Sequence, residues 1–400
     1  MIKRRDFLKH SVAASALFGL QSRLAFARAQ TDSRFVFVLL RGAMDGLAAV
    51  PAYADSAYRK QRGSLAIAKP GSVNGALDMD GFFGLHPSLP ELHRMYQQKE
   101  VIVAHAVASS YRERSHFDAQ KQLENGTGCP LGAKDGWLNR ALTNLSGSSM
   151  DAIALSQNIP LVLHGDAKVN SWSPAVLPEA DSDTLARIAR MYERDDFFFE
   201  QFESALKTRA MAGEPDKSGM TGRRMGRGKQ SMDAFVRASG RFLQDEDGPR
   251  IAVLESNGWD THANQGAHTG QLANKFSQLD ANLALLKKEL GKVWENTVVV
   301  VVSEFGRTVA VNGSNGSDHG TAGAAFILGG AVNGGRVVAD WPGLGNSNLY
   351  QRRDLKPTLD VRAIFKSVLH DHLQISTKVL NKTVFPDSDR VTGLRDIIIA

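Results

Sequence analysis

Apolar residues in this chain fall into short unbroken runs, separated by longer stretches with a helical period. Arg34-Phe-Val-Phe-Val-Leu-Leu40, Glu100-Val-Ile-Val-Ala-His-Ala-Val107, Arg250-Ile-Ala-Val-Leu-Glu255 and the five valines Val298–Val302 show no polar alternation. Such β-branched runs are what strands buried on both faces require. Helical spacing predicts helices over 87–98, from His116 onward, and over 182–207, 232–244, 271–290 and 360–373. Shorter apolar segments at 152–155, 161–163, 325–328 and 336–339 read as further strands, the first two as an edge or hairpin element. Strands alternating with helices predict an α/β fold: a doubly wound, mostly parallel sheet with helices on both faces.

The chain has 400 residues, 42% hydrophobic and 22% charged, within the range of globular proteins. Its net charge of +6 is concentrated in the first ten residues and in the segment 207–229. Neither is a basic face interleaved with aromatics, so nucleic acid is not an expected partner. Segment 207–230 lacks any period and reads as a flexible basic loop. Lys3-Arg4-Arg5-Asp6-Phe7-Leu8-Lys9, a mildly apolar stretch Ser11–Leu20 and small residues around Ala25–Ala29 have the form of a twin-arginine export signal. That stretch is shorter than the roughly 20 residues a bilayer span needs. The expectation is therefore a removed signal over 1–29, one α/β domain over 30–400, a periplasmic or secreted location, the twin-arginine translocation machinery as a partner and no stable membrane insertion. Cys129 is the single cysteine, which excludes an intrachain disulfide.

Three predicted strands each run into an acid: Asp45 after the first, Asp260 with His262 after the strand at 250, and Glu304 after the valines. Asp318 and His319 follow in the glycine-rich run 312–320. Parallel strands bring their carboxyl ends to one edge, where α/β sheets bind ligands. Carboxylates mixed with imidazoles suit zinc or manganese better than magnesium or calcium. Asp45 has a second reading as a helix N-cap, and Glu304 has one as an ion-pair partner of Arg307 or Arg41. Where the strand at 100–107 gives way to a helix, Ser115 is the candidate nucleophile, with Arg112 and Arg114 as anion-binding candidates. Ser115 also reads as a plain helix cap, and His86 and His116 as residues lining the site.

Leu40-Arg-Gly-Ala-Met-Asp-Gly46, Arg114-Ser-His-Phe-Asp-Ala-Gln120, Gly258-Trp-Asp-Thr-His262, Ser303-Glu-Phe-Gly-Arg-Thr308, Ser317-Asp-His-Gly320 and Gly329-Gly-Ala-Val-Asn-Gly-Gly335 occur in this order. With the twin-arginine segment, they resemble the exported bacterial family known as domain of unknown function 1501, over essentially the whole mature chain. That family is similar to the alkaline-phosphatase-like superfamily of phosphatases, sulfatases and phosphomutases. The resemblance implies an alkaline-phosphatase-like fold and a two-metal site at the sheet edge, with Asp45, Asp260, His262, Glu304, Asp318 and His319 as ligands. Glu304-Phe305 stands where the superfamily has an Asp-His pair. The function it implies is metal-dependent hydrolysis of small anionic phosphate or sulfate esters. The alternative is an exported binding or assembly protein that keeps the fold, with one structural ion and no turnover.

Overall fold

The computed structural model describes residues 32–145, 152–174, 182–192, 194–212 and 232–399. The expected export segment 1–29 and residues 213–230 of the basic loop lie outside them. In chain order the strands of the main sheet are β1 (Arg34–Arg41), β2 (Val101–Ala108), β3 (Ala152–Leu155), β4 (Asn170–Trp172), β5 (Ile251–Asn257), β6 (Thr297–Ser303), β7 (Gly323–Leu328) and β8 (Arg336–Val338). A two-residue strand, Leu359–Asp360, also pairs with β2. The helices that matter below are α1 (Gly46–Ala49), α2 (Pro90–Gln97), α3 (His116–Asn125), α4 (Trp137–Leu142), α5 (Ser182–Tyr192), α6 (Asp196–Ala212), α7 (Met232–Gln244), α8 (Gln271–Leu290) and α9 (Val361–Ser367).

The sheet order is β8-β2-β7-β6-β1-β5-β3-β4. β1 lies at its centre, parallel to β5 and to β6. The valine strand sends alternate side chains to opposite faces, as a period of two demands. Val299 and Val301 join Val36, Val38 and the apolar side of α8, including Phe276, Leu283 and Leu290. Val298, Val300 and Val302 join Phe35, Phe37, Trp137 of α4 and Phe365 of α9 on the other face. Two cores on two sides make this the doubly wound α/β arrangement the apolar runs predict.

Four details differ from the sequence expectation. β7 runs antiparallel to both of its neighbours, β2 and β6. The 304–322 connection therefore begins and ends at the same sheet edge. Residues 161–163 form a helical turn after Pro160, closed by Leu163 N–H on the Pro160 carbonyl. The strand that pairs with β3 is β4 instead, in parallel. The helix expected over 182–207 divides because Asp195 caps a second one, its carboxylate accepting from Phe198 N–H. Residues 207–212 then belong to α6, not to the basic loop, and Thr208 and Ala212 are buried. Among the described residues no helix is long and apolar enough to cross a membrane.

Candidate metal centre

β1, β5 and β6 end together, with Leu40 opposite Ser303 and Arg41 opposite Asn257. Three loops leave that edge: 42–45, 258–265 and 304–322. The first two touch at Gly42, whose φ of +116° is open to glycine and whose added Cβ would lie 2.7 Å from the Asp260 nitrogen. Gly42 N–H donates to Glu304 Oε1 (2.9 Å), which joins the first loop to the third. The third loop closes on itself: Gly306 N–H donates to Thr321 O, and Gly320 N–H to Gly306 O. Arg307 and His319 face each other across it. Asn264 N–H and Gln265 N–H donate to Ser314 O and Asn315 O, which joins the second loop to the third.

These contacts gather three imidazoles and one carboxylate. His319 Nε2 lies 2.9 Å from His116 Nε2, 2.9 Å from His262 Nε2 and 3.3 Å from Asp260 Oδ1. His262 Nε2 is 3.0 Å from Asp260 Oδ1, and His116 Nε2 is 3.4 Å from Asp260 Oδ2. The ligand atoms of His116, Asp260 and His319 all fall within 4.8 Å of one another, the one such group among the described residues.

The far nitrogen of each ring has its own acceptor. His116 Nδ1–H donates to Glu304 Oε1 (2.7 Å), His262 Nδ1–H faces Asp318 Oδ1 (3.3 Å), and His319 Nδ1–H donates to the Arg114 carbonyl (2.9 Å). With the proton on Nδ1, a neutral ring turns its Nε2 lone pair inward. Lone pairs 2.9 Å apart repel unless a proton or a cation lies between them. A tetrahedral ion with bonds of about 2.0–2.1 Å would hold neighbouring donors roughly 3.3 Å apart, so the cluster fits a small divalent cation. Acceptors behind ligating histidines are the usual means of fixing ring tautomer and orientation.

Charges around the cluster are arranged accordingly. Burial pushes the Glu304 carboxyl up, but His116, Gln120 and its backbone partners outweigh it and bring its pKa down to about 2. The hydrogen bond to Glu304 in turn raises His116. Burial also raises Asp260, yet Arg307 and the three histidines hold it below the ordinary carboxylate range. Arg307 is 1% exposed and donates to Asp260 Oδ1 (2.7 Å) and to the carbonyls of Trp259 and Ser317. Phe305 packs against two of the rings, stacking on His116 at 4.9 Å.

Of the six acids and histidines singled out in the sequence, Asp260, His262 and His319 bring donor atoms to the cluster. Glu304 and Asp318 stand one step back, behind His116 and His262. Asp45 lies elsewhere, as the N-cap of α1. Its Oδ1 accepts from Leu47 and Ala48 N–H, and its Oδ2 pairs with the buried Arg62 and accepts from Gln265. Both oxygens are thereby committed, and the capping alternative is the arrangement found. Ser115 occupies the N-cap position of α3 but makes no side-chain capping bond. Arg112 turns back onto the Ser109 and Tyr111 carbonyls, and Arg114 pairs with Asp354 and Gln351.

From the sequence, His116 is a residue lining the site and Arg307 a partner for Glu304, whereas in the structure His116 brings a donor atom to the cluster and Arg307 pairs with Asp260. Gln120 is assigned no role at the site by the sequence, yet it donates to Glu304 Oε1 (3.0 Å) and accepts from Arg41. Its spacing was available: His116 and Gln120 are four residues apart and share one face of α3. His86 lies away from the cluster, bonded to the Ala267 carbonyl and packed on Phe276.

Fold and site define an α/β protein with a histidine–carboxylate cluster at the carboxyl edge of its sheet. The chain belongs to the DUF1501 family, a family of unknown function whose model matches residues 32–384. No curated protein matches it. Among solved structures it is similar to the PsFucS1 sulfatase of Pseudoalteromonas sp., at 13% identity and a TM-score of 0.41, over 99% of this chain and 75% of that one. It is also similar to the phosphonate monoester hydrolase of Agrobacterium radiobacter, at 12% identity and 0.40 over 86% and 74% of the two chains. The alkaline phosphatase of the Antarctic bacterium TAB5 follows at 14% identity and 0.36, over 76% and 95%. Likeness at this level assigns no activity.

Proposed function

We propose that this protein is an exported metal-dependent hydrolase of small phosphate or sulfate esters, built around one divalent cation. The observation that carries the reading is the convergence of His116 Nε2, His319 Nε2 and the Asp260 carboxylate, with His262 Nε2 beside the last two, and each ring held from behind by its own acceptor. His116, Asp260, His262 and His319 would hold the ion, with zinc or manganese the metals such donors suit. The bound ion would supply Lewis-acid charge to an ester oxygen. The two-ion site implied by the resemblance is set aside, because Asp45 is a cap and Glu304 and Asp318 orient rings.

Ser115 precedes His116 at the start of α3 and, with no capping bond, is the hydroxyl we assign to attack. Arg112 and Arg114 are engaged with other groups, so the anion contact is assigned to Arg353, whose side chain is 41% exposed. Arg353 also pairs with Asp354, at 3.4 Å a looser contact than the 2.8 Å of Arg114, and its charge acts on Asp318. Export by the twin-arginine machinery to the periplasm or beyond belongs to the same reading.

The test is hydrolysis of a panel of phosphate and sulfate monoesters by protein loaded with zinc or manganese, beside a Ser115→Ala variant. Turnover that the variant loses while still binding metal supports the reading. Silence across the panel from metal-loaded protein contradicts it. A second reading, an exported binding protein with a structural ion, is favoured by one observation: both arginines beside Ser115 are tied to other groups. It predicts that His262→Ala lowers thermal stability and that Ser115→Ala changes nothing.

A further inference from the structure

The ligands arrive on two loops, Asp260 and His262 on 258–265 and His319 on 304–322, and their relative placement has to be fixed by something other than the ion. A fully buried side chain sits between them. Gln265, 0% exposed, accepts from Thr261 Oγ1 (2.9 Å) and from Ser317 Oγ (2.6 Å), and donates through Nε2 to Asp45 Oδ2 (2.8 Å). Thr261 lies between the ligands Asp260 and His262, while Ser317 lies two residues before His319. Asp45 is itself anchored by Arg62, which is 0% exposed and donates to the Thr308 and Val309 carbonyls at the start of the third loop.

We propose that Gln265 is the positioning residue of this centre, joining the two ligand loops to the Arg62–Asp45 pair and so setting the spacing of the donors before an ion arrives. An amide is suited to this role. Its oxygen takes both hydroxyls and its nitrogen takes the carboxylate, with no added charge beside Asp45. A carboxylate in its place would meet Asp45 as a like charge, and an apolar side chain would strand the buried Thr261 and Ser317 hydroxyls and take one donor from Asp45, leaving it Arg62. The inference rests on the metal-centre reading above and deepens it.

The experiment uses the full mature chain, with zinc affinity measured by competition against a chelator and the visible spectrum recorded on the cobalt-substituted protein. Gln265→Leu is expected to weaken zinc binding about 10-fold or more, the range found for groups behind metal ligands, and to alter the cobalt bands. Ser317→Ala and Thr261→Val, each removing one arm, shift both readouts in the same direction and serve if Gln265→Leu does not fold. Asn139→Ala is the control. Asn139 is 1% exposed and bonds to the Leu163 and Ala167 carbonyls, so its loss should lower the melting temperature and leave affinity and spectrum unchanged. Wild-type affinity and spectrum in the Gln265, Ser317 and Thr261 variants would overturn the proposal. If wild-type protein takes up no zinc or cobalt, the metal-centre reading itself falls and the proposal falls with it.

Discussion

Glu304 Oε1 accepts from His116 Nδ1 at 2.7 Å, across 188 residues of chain, and the same oxygen accepts from Gly42 N–H and Gln120 Nε2. One buried carboxylate atom therefore fixes a histidine ring, a tight loop and the first turns of α3. Replacing it with an amide keeps the shape, removes the charge and turns part of the group into a donor. Glu304→Gln should weaken metal binding about 10- to 100-fold with the fold retained. Chelator competition checks this, and unchanged affinity would show that the carboxylate does not orient His116.

Asp45 supports α1 and neutralises Arg62, which has no route to solvent. Asp45→Ala should cost about 3–5 kcal/mol by leaving that guanidinium buried and uncompensated. Asp45→Asn, which keeps a capping oxygen, should still bind metal at the wild-type stoichiometry in elemental analysis. An ion lost from the folded asparagine variant would return Asp45 to the ligand set.

How much of this was legible in the sequence follows from the range of each interaction. The valine strand and the Asp260-x-His262 spacing are local, so buried strands and a strand-then-ligand order could be read directly. Asp45 carried two local meanings, cap and ligand, and only the position of Arg62 and Gln265 separates them. His116 and Arg307 owe their places to partners far along the chain, and no periodicity encodes such pairs. The antiparallel course of β7 was hidden for a related reason: an apolar run states that a strand is buried, not which way it runs. The export signal expected over residues 1–29 is the reverse case: it rests on sequence alone, because those residues lie outside the described structure.

Gly306 and the Ala322 backbone at the other end of the 304–322 loop approach too closely for any side chain. A Cβ there would stand 1.9 Å from the Ala322 carbonyl oxygen, itself backbone within the closed loop. Gly306→Ala should destabilise the protein by about 3 kcal/mol and loosen the 304–322 loop. Urea unfolding of the metal-free variant checks this, and a change below about 0.5 kcal/mol, the range of ordinary surface substitutions, would contradict it.

Two buried histidines away from the centre set an acid limit. Burial lowers both His86 and His105 to about 4. In each ring Nε2–H donates to a carbonyl, of Ala267 or Val50, while Nδ1 accepts a backbone N–H, from Ser88 or Ala106. Protonation would set a donor against a donor. The folded pKa lies below the unfolded value of about 6.5, so the stability is present above that pH and is lost as pH falls toward 4. At full extent this amounts to on the order of 3 kcal/mol for each ring. Melts of metal-free protein between pH 8 and 4 should show that decline, and His105→Gln should make it shallower. An equal slope in the variant would exclude the ring as its source.

Changing Arg4 and Arg5 together to lysine should leave the full-length precursor in the cytoplasm, while the native chain is recovered outside it without residues 1–29. Cell fractionation with mass determination decides this. Export of the doubly substituted chain at the native level would remove the twin-arginine route.

The most direct test of the whole account is elemental analysis of the protein purified from its natural compartment, beside a His262→Ala, His319→Ala double variant. The account predicts about one zinc or manganese ion per native chain and none in the double variant. A native chain without a stoichiometric divalent ion, or a double variant that keeps one, would contradict it.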